Sequence, residues 1–139
     1  MSHSLKIATI LPYKENYTFL KAQAAAIWVC DFYKYSKFKD DNFIFGNTKG
    51  SDYLTKNYIN IKINNLKSKF SSSTNEYCKN FIKKTKNDKF DIIEIHNRPL
   101  VFNYLNKEIN SKYILYFHND PLSMNGSKSI NERLKLLDE

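Results

Sequence analysis

A chain of 139 residues accommodates one domain with a buried core and leaves no room for two domains of ordinary size. Its 42% hydrophobic and 15% aromatic residues, with only three glycines and three prolines, exclude a disordered or fibrous chain. The formal charge of +8 raises nucleic-acid binding, yet Arg98 and Arg133 are the only arginines and the lysines are dispersed, a pattern that favours a solvated basic surface over phosphate recognition by guanidinium forks.

In chain order, residues 6–12 (KIATILP) form a short apolar run ended by proline, too short for a helix and suited to a buried first strand. The polar and aromatic residues 13–22 lead into Ala24–Tyr35, whose alanine-rich start and length predict the first helix. Ile27, Trp28, Cys30 and Phe32 cover much of its circumference, which predicts burial against a sheet and a second element. Residues 42–45 (NFIF) and 58–63 (YINIKI) read as strands. In the second, Tyr58, Asn60 and Lys62 alternate with Ile59, Ile61 and Ile63, which predicts one exposed face near a sheet edge. Ser71 to Thr74 offers caps to a helix over 76–87 with Tyr77, Phe81 and Ile82 on one stripe.

Residues 90–95 (FDIIEI) predict a fourth strand, 99–109 a helix, and 112–117 (KYILYF) a fifth strand. Ser129 and Glu132 have capping-box spacing and open a last helix with Ile130, Leu134 and Leu137 on one side. Asp138 and Glu139 then place acid where a helix end prefers Lys or Arg, so the chain is expected to continue into a further domain. Strands alternating with helices predict an α/β, Rossmann-like parallel sheet of about five strands with helices on both faces, over the whole of 1–139. Cys30 and Cys78 lack metal-type spacing and read as free thiols of a reducing compartment. With no cleavable leader and no run of about 18 apolar residues, a cytoplasmic location is expected.

Two polar clusters follow strands: His96-Asn97-Arg98-Pro99 and His118-Asn119-Asp120-Pro121. Open parallel sheets bind ligands beyond the carboxyl ends of their strands, so both histidines are candidates for one polar wall, against the alternative that each braces its loop. His3 sits in a polar terminus and is expected to be inert. No third ligand has helical or strand spacing to serve a metal with His96 and His118, though Asp120 could be proposed, and no metal is assigned. Arg98 suits an anionic substrate group or a salt bridge. Nucleophile-elbow, Walker and dinucleotide fingerprints are missing, and no cofactor is assigned.

KIATILP, KAQAAAIWVCDF, FDIIEIHNRP and YILYFHNDPLSMNGSKSINERLKLL together resemble the N-terminal domain of family 4 glycosyltransferases of GT-B architecture, over nearly the whole chain. The resemblance implies retaining transfer from a nucleotide-diphosphate sugar to a glycan or lipid-linked acceptor in cell-surface glycan or lipopolysaccharide assembly, without a catalytic metal. It implies the sheet order 3-2-1-4-5, an acceptor-side role for this domain, and a donor-binding C-terminal domain outside it. His118 would contact the donor sugar near the reacting centre, with Asn119 and Asp120 beside it, while His96, Asn97 and Arg98 would shape the acceptor side. Gln23 stands where the family has a loop glycine, so its side chain is expected to meet a sugar hydroxyl or to impair the loop. The alternative is a non-enzymatic basic α/β module for RNA or anionic membrane. Peripheral contact with the inner membrane face is a further expectation, and nucleic acid is not expected as a partner of the enzyme.

Overall fold

The computed structural model describes residues 4–64, 66 and 71–138. His3, Glu139 and residues 67–70 of the serine-rich loop lie outside them. In chain order the elements are β1 (Ile7–Ile10), α1 (Ala24–Tyr35), β2 (Asn42–Gly46), β3 (Tyr58–Asn60), α2 (Ser73–Lys84), β4 (Ile92–His96), α3 (Pro99–Glu108), β5 (Lys112–Tyr116) and α4 (Ile130–Asp138). All strand pairs are parallel, in the order β3-β2-β1-β4-β5. The chain therefore winds outward from β1 one way and from β4 the other, and a crevice opens between their carboxyl ends. The fold is Rossmann-like α/β, as the alternating elements predict.

Local chemistry fixes the boundaries. Ser72 accepts the Asn75 amide at 3.1 Å and caps α2. Pro99 opens α3 at a position that needs no amide donor. Ser129 and Glu132 form the predicted reciprocal box, with the Ser129 amide at 2.8 Å from Glu132 Oε2 and the Glu132 amide at 3.2 Å from Ser129 Oγ.

Strand alternation sorts the core onto two sides of the sheet. Ala8, Ile10, Ile93 and Ile95 face α2 and α3, meeting Tyr77, Phe81, Val101 and Leu105. On the other side Leu11, Ile44 and Tyr58 meet Ala26, Val29 and Cys30 of α1. Cys30 and Cys78 are free and buried, one on each side.

Two sequence expectations change here. Of the apolar α1 residues singled out, only Cys30 is buried, whereas Ile27, Trp28 and Phe32 are 50%, 39% and 47% exposed. α1 supplies the only helix residues of its core cluster among the described residues, so its outer apolar face stays open. In α4, Ile130, Leu134 and Leu137 are exposed, and the helix meets the core through Leu136. Tyr58 is buried rather than exposed, stacked on Tyr17 at 4.9 Å with its hydroxyl 2.6 Å from Thr48 Oγ1.

Tyr77 ties α2 to the end of β1, its buried hydroxyl donating to the Leu11 carbonyl at 2.8 Å. Tyr77→Phe removes that donor while keeping the ring, and is expected to lower stability by about 1–3 kcal/mol in urea unfolding.

Candidate functional site

β4 runs one residue further than its apolar pattern suggests, because His96 pairs in register with Tyr116 of β5. Being in the strand, His96 follows the alternation of Glu94 and lies on the α1 side. Asn97 then takes a φ of 53°, the left-handed region in which Asn is among the tolerated residues. This turn starts α3 and sends Arg98 to the opposite side of the sheet edge.

Asn97 also joins the two strand ends. Its amide donates to the Tyr116 carbonyl at 2.8 Å, and its Oδ1 accepts the His118 and Asn119 amides at 2.7 and 3.4 Å. The His-Asn-Arg and His-Asn-Asp clusters are thus brought together as one unit, though not as a single wall.

On the α2–α3 side, a cavity of ≈ 440 Å³ opens at the carboxyl ends of β1, β4 and β5. Tyr13 and Lys14 line it after β1, Asn97, Arg98, Pro99 and Leu100 at the start of α3, Thr74 at the start of α2, and Asn119 after β5. Ser123, Met124, Asn125 and Lys128 close it. Gly126 lets that last loop approach α3, since its φ is +92° and a Cβ there would lie 2.9 Å from Leu100 Cδ2. Ser127 is fully buried and donates to the Pro121 carbonyl at 2.5 Å, holding the loop shut. Arg98 lies over the Tyr13 ring, 5.6 Å from its centroid, and donates to the Asn97 carbonyl at 2.8 Å. The cavity wall carries Lys14, Arg98 and Lys128 and no carboxylate.

His96 and His118 stand on the α1 side, outside this cavity wall, and bond to each other, Nδ1 to Nε2, at 2.7 Å. Trp28 packs against both rings at 5.7 and 5.2 Å, and Tyr116 stacks on His96 at 4.8 Å. Burial, reinforced by the neighbouring His118, drives the pKa of His96 from 6.5 down to about 3, and burial also lowers that of His118.

The remaining candidates are placed apart. Gln23 is exposed and precedes α1 with no side-chain capping bond. Asp120 caps the short 3-10 turn Pro121–Ser123 by accepting the Leu122 amide at 2.9 Å. No group of three or more His, Cys, Asp or Glu side chains is placed to hold a metal ion among the described residues. Nor is any described helix long and apolar enough to cross a membrane.

Two residues escaped the sequence reading. Glu15 reaches from the loop after β1 to accept the Ala26 amide at 3.1 Å, so a carboxylate of the chain itself occupies the start of α1. Its pKa is raised by burial, an effect opposed by the Ala26 amide and by Arg98. An acid in a glycine-free loop before a helix was the available signal. Trp28, read as core, is instead the partly exposed cover of the histidine pair.

Asn97→Gly is expected to lose only the side-chain bonds, about 1–2 kcal/mol, whereas Asn97→Ala adds the left-handed penalty of roughly 1–2 kcal/mol more; urea unfolding of both variants separates the two costs. A pH effect follows from His96. The unfolded chain takes up the proton first, so the contribution of His96 to stability is complete above pH 6.5 and is lost progressively as pH falls toward 3. His96→Asn should flatten the acid limb of the stability profile across that window relative to wild type.

No family model matches the chain, and neither a curated protein nor a solved structure was found to match it.

Proposed function

We propose that this chain is the acceptor-side, N-terminal Rossmann-like domain of a retaining glycosyltransferase of the family 4, GT-B type. One observation supports the reading above the others. The cavity lies beyond the strand ends at the β1–β4 reversal and is walled by residues of the same two strand-end motifs on which the sequence resemblance rests. Its lining is polar and cationic, as an acceptor glycan with an anionic phosphate or carboxylate group requires.

In this reading the bond from the donor's anomeric carbon to the diphosphate breaks as a bond to the acceptor oxygen forms, and the acceptor's proton leaves with the diphosphate. The groups that neutralise the diphosphate belong to a second domain. The carboxylate of Glu15 at the start of α1 fits that division, because it disfavours a phosphate there. Asn97, Arg98 and Asn119 receive the acceptor, and His118 stands toward the donor sugar. Asp120 and Gln23 have no role in the cavity, and His96 acts through His118. A cytoplasmic enzyme touching the inner membrane face through its lysines completes the proposal.

The test is NMR titration of the chain with phosphorylated or uronic-acid saccharides, beside neutral ones, RNA and anionic vesicles. Charged saccharides are expected to shift the signals of Asn97, Arg98, Asn119 and Met124, and Arg98→Ala should weaken them by roughly tenfold to a hundredfold. Tight RNA or vesicle binding that ignores Arg98→Ala and falls steeply with salt, with no saccharide binding, replaces this reading by the basic binding module. In the full gene product, His118→Ala should abolish transfer from a panel of nucleotide sugars.

A further inference from the structure

His96 is fully buried, yet its Nε2 meets no hydrogen-bond partner among the described residues. Its other ring nitrogen, Nδ1, lies 2.7 Å from His118 Nε2. Neither imidazole is free to turn away. His96 is held in strand register and stacked on Tyr116, Trp28 covers both rings, and the His118 backbone is tied to Asn97 Oδ1 at 2.7 Å.

Of the four ring nitrogens, two satisfy each other and one is sealed, which leaves His118 Nδ1, on a half-buried side chain. The pair is neutral at neutral pH, since burial lowers both titrations and the nearest acid on the same strand face, Glu94, is bonded to Thr9 at 2.9 Å. One neutral ring must therefore donate to the other. If His118 donated, His96 would carry its proton on Nε2 and bury an N–H with no acceptor. If His96 donates, only a lone pair is left bare. Orphaned buried N–H groups are rarer than under-satisfied acceptors, so the second arrangement is favoured.

We propose that His96 is a positioning residue that donates its Nδ1–H to His118 Nε2 and so fixes His118 as the Nδ1–H tautomer, a hydrogen-bond donor toward a ligand oxygen rather than a general base. The tautomer stands on the ring geometry and the neutrality of the buried pair, independent of any ligand. Its use, donation to an oxygen of the donor sugar, rests on the glycosyltransferase reading above. The same device explains why the second histidine is sealed: an exposed partner would exchange its bond for water and lose control of the tautomer.

The experiment is a long-range proton–nitrogen correlation spectrum of the imidazoles in the nitrogen-15-labelled chain. For His118 and His96 alike, Nδ1 is expected in the protonated range and Nε2 in the unprotonated range. A His118 protonated on Nε2 overturns the proposal. His96→Asn keeps an N–H donor near the Nδ1 position and should preserve the His118 tautomer. His96→Leu should release it to the Nε2–H form that free imidazole prefers and raise its titration toward the ordinary value. If the Leu variant does not fold, the wild-type and Asn spectra still decide. An unchanged His118 tautomer in a folded His96→Leu chain also overturns the proposal.

In the full gene product, His96→Leu should lower kcat for sugar transfer by roughly tenfold to a hundredfold with little change in acceptor KM, and His96→Asn should restore most of it. If the spectra are as expected but no sugar is transferred, the glycosyltransferase reading fails and the tautomer assignment stands.

Discussion

The turn at Asn97 is the constraint on which the rest of the site depends. One residue at a φ of 53° ends β4, begins α3, continues the ladder to Tyr116, and binds the backbone amides of His118 and Asn119 through its side chain. Asn suits the position because few other side chains accept two amides locally while tolerating the left-handed region. The neighbours of Asn97 are thereby sent to opposite sides of the sheet edge, His96 toward α1 and Arg98 into the cavity.

That division separates two kinds of chemistry. Around the cavity the polar groups are open and cationic, the conditions under which a charged ligand replaces water without leaving a buried ion unpaired. Around the histidines the setting is aromatic and partly to fully buried, which disfavours the charged imidazoles and makes each remaining hydrogen bond directional. Arg98 links the regions electrostatically, since it lies over Tyr13 at the cavity and opposes the burial-driven rise in the titration of Glu15 at the start of α1.

Much of this was legible in the residues. Short apolar runs alternating with helical segments specify a parallel α/β sheet, because strands buried on both faces lose the polar alternation of an exposed sheet. β1, with all four residues buried, shows this most clearly. The outward stripes of α1 and α4 were not legible, because periodicity reports that a face is apolar and not what covers it. The two strand-end motifs could be found by position. The sides on which His96 and Arg98 fall could not, since that depends on where β4 ends, and a polar histidine reads as a loop until its pairing with Tyr116 is known. Glu15 was hidden for a related reason: a cap contributed from eleven residues upstream leaves no local signature of the kind Ser129 and Glu132 show.

The Glu15 contact also bears on how the domain can use its first helix. In folds that bind phosphate at this position, the exposed amides and the positive end of the helix dipole supply the attraction. Here a carboxylate already takes the Ala26 amide, so an incoming phosphate must displace it and bring the resulting buried acid into repulsion or protonation. Burial raises the Glu15 titration on balance, and the Ala26 and Ala25 amides and Arg98 only partly oppose that rise. Gln23 is exposed and without a capping bond, so the side chain that meets the helix start is that of Glu15. A glycine at position 23 would add backbone freedom to the loop without freeing the Ala26 amide that Glu15 holds, so the open cationic groups of this strand-end region are those of the neighbouring cavity.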